Sequence, residues 1–366
     1  MLPKLKTLLE RFKLLPKWKQ ALIIITSGSV LTYLILILSG GATIISTPLL
    51  KTGSEDNGIR IVPNPLNGVL YTKTQASVWQ SRLPLAVMIE NLSEVRPQSG
   101  LGRADLVYEA LTEGGITRFM AIYLAEETDE IGPVRSARTH FLDWVKELNA
   151  LYAHIGGSPE ALDRIAVEDF RTLPEELPYY SRKGSSNLSR EHTAFSSTRG
   201  LWEMAKNRDF NGPPNLRSWR FKNEESEAST RPASANIKLS FTALDDYNVR
   251  WDYNPEDNSY IRFSGSPYAE DTDRVTNEPI STKNVVIQYT LHQELNDDKD
   301  RINITTTGNG EARIFLDGKA ASARWEKASP SARTIYYDSN NNEIEFNRGK
   351  IWVEIIPTNA AVEYTE

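Results

Sequence analysis

The chain has 366 residues, enough for more than one folded unit, and 40% hydrophobic with 9% aromatic residues is enough to build real cores. That composition excludes wholesale disorder, collagen-like repetition and a polytopic membrane protein, while zero cysteines exclude disulfides, thiolate metal sites, a cysteine nucleophile and a lipid-modified cysteine. Of the net charge of −6, residues 1–20 hold six basic groups against Glu10, so the remainder is at −11 and lacks the basic surface that nucleic-acid binding needs.

Those first 20 residues read as a cytoplasmic tip. Ala21 to Leu38 is an uncharged run of 18 residues, about 27 Å as a helix against a hydrocarbon core of ~30 Å. Residues 21–47 are therefore expected to be a single-pass signal anchor, with the flanking lysines and arginines held inside and the bulk of the chain outside the cytoplasm at the cell membrane. The competing reading is a cleaved signal peptide, with Gly40 and Ala42 as its small-residue cleavage site. Residues 48–63, polar and rich in turn formers, read as a linker.

Residues 64–210 read as an α/β layered sheet domain. Pro84 to Glu90, Thr117 to Ala125 and Leu151 to Ile155 have strand length, and Phe141, Trp144, Val145 and Leu148 fall on one stripe of a helix over Ala137 to Asn149. Ser158 and Pro159 fit the N-cap and first position of a helix over Glu160 to Ala166. Residues 211–236 mix Pro, Gly, Ser and charge and read as a second linker. Short alternating runs with turn signals then predict a smaller all-β C-terminal domain over 237–357. The fold class expected is α/β or α+β with an N-terminal transmembrane helix.

IGPVRSARTHFLDW is the most informative stretch for chemistry. A break at Gly132-Pro133 and a turn through Val134 to Ser136 would open the helix at or just after Ser136. Arg135 and Arg138 would then add guanidinium groups to the unsatisfied N–H groups of its first turn, an arrangement suited to phosphate or carboxylate. Both arginines pairing with carboxylates of the acidic body is the plainer alternative. Upstream, Asp105, Glu109 and Glu113 recur every four residues. On a helix the three share a face, and on a strand Asp105 and Glu109 still do. They are candidates for acid–base work or for holding a cation, with a solvated acidic face as the alternative. Arg118 opens the next strand within reach of them. His154, Gly156 and Gly157 form a strand-to-helix turn of the kind that lies beside ligands in open α/β sheets, or His154 simply caps the strand. His192 sits in a polar loop with Arg182, Lys183 and Arg190. His140 and His292 belong to no motif, and no metal-binding or nucleophile signature is present.

NPLNG (Asn64 to Gly68), RLPLAVMIEN (Arg82 to Asn91), RPQSGLGRADLVYEALTEGGITRFMAIY (Arg96 to Tyr123), IGPVRSAR and HIGGS occur in the order and spacing of the YerB-like family of bacterial envelope lipoproteins, which the chain resembles. The resemblance continues through RWDYNPEDNSYIRF, NVVIQY, GNGEARIFLDGKAASARW and FNRGKIWVEIIP, so it covers about Asn64 to Pro357. It implies an extracytoplasmic protein with two domains of unknown function. This chain departs from the pattern in lacking the lipidated cysteine, and in reading HTAF at His192 to Phe195. Arg103-Ala104-Asp105, Pro133-Val134-Arg135 and LNALYAHIGG are also similar in order to the LytR-CpsA-Psr phosphotransferases, with Ser136 where that family has an aspartate.

The expected ligand is accordingly an anionic one, a phosphorylated envelope lipid or glycan, held by Arg118, Arg135, Ser136, Arg138, His154, Gly156, Gly157 and His192. A pyrophosphate would bring Mg²⁺, and Asp105 and Glu109 are the candidates for catalysis. Phosphoryl or glycosyl-phosphate transfer is the chemistry that positioned charge alone can support. The other reading is a non-catalytic module whose β-rich part, with Trp251, Trp325 and Trp352, holds an envelope protein partner.

Overall fold

The computed structural model describes residues 58–184 and 189–366. The basic tip, the anchor expected at 21–47 and residues 48–57 of the first linker lie outside the described residues. Among those described, no helix is long and apolar enough to cross a membrane.

In chain order the elements used below are α1 (Lys73–Ser77), β1 (Leu85–Glu90), β2 (Leu106–Leu111), β3 (Thr117–Tyr123), α2 (Thr139–Glu147), β4 (Leu151–Ala153), α3 (Pro159–Val167), β5 (Arg171–Leu173) and α4 (Thr198–Asn207). They are followed by β6 (Asn236–Ser240), β7 (Asn248–Asn254), β8 (Ser259–Ser264), β9 (Asn284–Thr290), β10 (Gly308–Leu316), β11 (Lys319–Lys327), β12 (Ile335–Tyr337), β13 (Ile351–Pro357) and β14 (Val362–Thr365). Mostly apolar sequences with every residue buried make β1, β2 and β3 central strands, and the few charged residues in them, Glu90, Glu109 and Arg118, are buried too. Ser158 caps α3 by accepting from Ala161 N, and Pro159 follows it, as the sequence predicts.

Ten of these strands form one sheet in the order β12-β11-β10-β9-β13-β2-β3-β1-β4-β5. β13 runs parallel between β9 and β2, so residues from beyond the second linker sit at the centre of the sheet that the first half begins. The β-rich stretch thus shares its sheet with the α/β stretch, and the described residues belong to one compact unit. Residues 211–236 are not a loose connection either. Trp219 is buried against Tyr336 and Phe346 and donates to Thr334 O at 2.7 Å, while Arg220–Phe221 pairs with Glu345–Phe346.

The second sheet, built on β8, β7, β6 and β14, is antiparallel and half-buried, with Val249, Trp251 and Tyr253 alternating inward from β7. It covers the face of the large sheet that carries Glu109, Phe119, Trp352 and Glu354. Arg262 of β8 lies there between Glu109 (2.7 Å) and Asp271, with Phe119, Trp251 and Trp352 around its guanidinium. Burial and the neighbouring Glu109 carboxylate push the Glu354 pKa well above the usual range, and Trp251 Nε1 donates to it at 2.8 Å.

α2 covers the opposite face. Its Trp144 stacks on Tyr108 at 5.0 Å, and its fully buried Glu147 bonds Tyr108, Lys327, Arg333 and Thr334. The central strands are therefore clamped by a helix on one side and a sheet on the other.

Candidate anion site at the carboxyl edge of the sheet

β1, β2, β4, β5, β9 and β13 all point the same way, so their carboxyl ends form one edge. β1 and β4 pair over three residues and then splay apart. The segment Val134 to Ala137 fills the gap: Arg135 N donates to Met88 O, Ile155 N to Arg135 O, Ala137 N to Gly156 O and Ser158 N to Ala137 O. The turn expected through Val134 to Ser136 is thus extended backbone, and α2 begins at Thr139 with Arg138 as N-cap. Peptide groups that a turn would leave unpaired are here satisfied by strand neighbours on both sides.

This insertion delivers Arg135 and Arg138 to the same edge as Arg118, which opens β3 directly opposite Glu90 of β1. Arg135 Nε lies 2.5 Å from Glu90 Oε2, an ion-pair contact without hydrogen-bond alignment, and its Nη1 donates to Glu191 O at 2.9 Å. His192 Nδ1 meets the same Glu90 oxygen at 3.0 Å. Arg138 grips Glu113 with two nitrogens, Nε at 2.6 Å and Nη2, while Arg118 Nη2 donates to Glu113 Oε1 at 3.0 Å. Burial opposes ionisation of Glu113, but the Arg138 hydrogen bonds and the charges of Arg118 and Arg138 outweigh it and bring its pKa down to about 2. Burial, reinforced by the charge of Arg138, lowers Arg118 to about 10.

The site is only partly satisfied from within. Arg118 is 3% exposed, yet its Nε and Nη1 have no hydrogen-bond partner, nor do Tyr152 Oη, His154 Nε2 or either ring nitrogen of His140. Tyr152 stacks on His154 at 4.8 Å, and by strand alternation it shares its face with Glu90 and Arg118. A cavity of about 330 Å³ opens beside Glu113, Arg138 and His140, with Thr112, Thr139 and Ser158 also in its lining, and Arg118 reaches it through its bond to Glu113. A second, of about 570 Å³, lies on the other side of the Glu113–Gly115 turn and reaches His292.

The residues singled out in the sequence separate into those that meet here and those that do not. Arg118, Arg135, Arg138, His154 and His192 converge. Ser136 lies beside Gly156, and the Gly156 carbonyl is taken by Ala137 N and His154 Nδ1, so the turn of Gly156 and Gly157 docks against backbone. Asp105 and Glu109 lie elsewhere. Residues 106–111 are strand, and the three carboxylates spaced by four go to three environments. Asp105 stands at the start of β2, about 20 Å along the strand from the arginines. There it accepts from Asn64, Asn67, Leu124 N and Ala125 N, with burial raising its pKa to about 7. Glu109 faces the second sheet. Among the described residues no cluster of His, Cys, Asp and Glu is arranged to hold a metal ion. Sequence reasoning missed Glu90 and Tyr152. Their only signal is position, Glu90 at the end of one apolar run and Tyr152 within another that turns out to be its neighbour.

The chain is 28% identical over 297 residues to "Putative lipoprotein YerB" of Bacillus subtilis (strain 168), covering 80% of this chain and 86% of that one. It superposes on the crystal structure of the YerB protein from Bacillus subtilis with a TM-score of 0.72 at 25% identity, over 84% of this chain and all of that one. Residues 71–211 match the N-terminal domain, and 237–353 the C-terminal domain, of the protein of unknown function DUF3048. With both halves matched in order, the chain belongs to this YerB-like family.

Proposed function

We propose that the chain is a membrane-tethered, extracytoplasmic protein of the bacterial envelope that binds an anionic group, phosphate or carboxylate, at the carboxyl edge of its large sheet. The tether is supported by the uncharged run from Ala21 to Leu38 behind six basic residues, and by the lipoprotein name of its relative. The observation that carries the binding reading is Glu113. The chain's own carboxylate is held by two arginines at a cavity mouth, while Arg118 keeps two buried donors unused. Glu113 sits on a turn whose Gly114 and Gly115 both take positive φ, with open space around Gly114, so the side chain can leave without disturbing a strand. An incoming anion would replace it between Arg118 and Arg138.

Titration of inorganic phosphate into the full chain in detergent tests this. Arg138→Met should abolish binding, whereas Glu113→Gln, which weakens the internal competitor, should tighten it about tenfold, equivalent to ~1.4 kcal/mol. Equal affinity in wild type and Glu113→Gln, or no binding by either, would overturn the reading.

A further inference from the structure

The cavity in front of Glu113 is more than a passage to two arginines. His140, the second residue of α2, lines it and is 3% exposed, packed against Phe141 and Trp144, and neither of its ring nitrogens has a partner. Buried polar groups in native folds are almost always paired, so an imidazole beside the cavity whose two idle nitrogens are closed to solvent while Glu113 is in place marks a place for a ligand that displaces Glu113. The lining around it includes Thr112, Thr139 and Ser158, together with Arg164 and Arg301, each of which is already paired with two carboxylates. Burial holds the imidazole neutral, at a pKa of about 3, with the nearby His292 and Arg138 adding to the effect. A neutral ring offers one donor and one acceptor, which is the complement of a hydroxyl rather than of a second anion.

Resting on the anion reading above, we infer that the ligand is a hydroxylated anion, its charged group between Arg118 and Arg138 and a hydroxyl of its adjoining sugar ring bonded by His140. Sugar phosphates and uronates share this chemistry. A cavity of about 330 Å³ is at the small end of ligand sites, so it takes one sugar unit with its anion and not an extended chain.

Isothermal titration of the full chain with inorganic phosphate, glucose 1-phosphate and glucuronate is the test. Glucose 1-phosphate should bind about tenfold more tightly than phosphate, since it adds a hydrogen bond to a buried unpaired group. A glucuronate affinity matching or exceeding that of glucose 1-phosphate would assign the anion as a carboxylate, and the reverse would assign a phosphate. His140→Phe, which keeps a ring in the packing, should erase the preference for the sugar compound, and His140→Gln should restore part of it. If phosphate binds wild type as tightly as both sugar compounds do, this inference is overturned while the anion reading stands, with no variant needed. If none of the three binds, both fail.

Discussion

Glu109 of β2 accepts a hydrogen bond from Arg262 of β8 at 2.7 Å, and both side chains are almost wholly excluded from water. The pair joins the two sequence halves through the layer between the sheets. Removing one partner of a buried ion pair leaves the other charge unpaired, which costs about 3–5 kcal/mol. Arg262→Met strands Glu109 and Asp271 and should lower stability by that amount, read from the urea midpoint. A loss below 1 kcal/mol would show that the pair contributes little.

Because β13 lies inside the sheet between β9 and β2, neither half can unfold alone without breaking parallel pairing on one side of β13. Thermal unfolding should therefore be one transition, with calorimetric and van't Hoff enthalpies in agreement. Two resolved transitions would contradict a shared sheet.

His140 makes stability depend on acid. Its folded pKa of about 3 is depressed below an ordinary ~6.5, chiefly by burial. As pH falls below ~6.5 the unfolded chain takes up a proton that the folded chain refuses until about pH 3, so stability present at neutral pH is lost across that window. Relative to His140→Phe, the wild type should lose about 1 kcal/mol per pH unit between pH 6 and 4. Urea melts at both pH values give the comparison, and parallel losses in the two proteins would mean that His140 is not buried in solution.

Trp219, in the stretch between the two matched segments, fills a site between Tyr336 and Phe346. Trp219→Ala should cost about 3–5 kcal/mol, the range for emptying a buried aromatic site, without changing phosphate affinity. A near-neutral effect in a denaturant titration would make the stretch a true linker.

Much of the first half was legible because its signals are local. The stripe of Phe141, Trp144 and Val145 sets α2, Ser158 caps α3, and the buried runs of β1 and β3 stand out against turn formers. β11, KAASARWEK, was not legible, since mostly exposed small and charged residues leave no apolar alternation to read. The central place of β13 was also hidden, because pairing Ile351 with Leu106 is a long-range choice that composition cannot express. The candidate site divides the same way. Arg135 and Arg138 are neighbours in sequence and announce themselves, whereas Glu90, Glu113 and Tyr152 reach them only when separate strands and the turn after β2 are laid side by side.

The insertion of β13 also bears on biosynthesis. A chain made from its amino end exposes the whole hydrogen-bonding edge of β2, all six of whose residues are buried in the finished protein, until residue 357 has been synthesised. Through that interval the apolar strand has no partner on that side, and open edges of this kind invite pairing with other chains. Ribosome-bound nascent chains that stop short of Ile351 should thus be the most aggregation-prone form of the protein, and the last strand of the large sheet to arrive is the one that closes its centre.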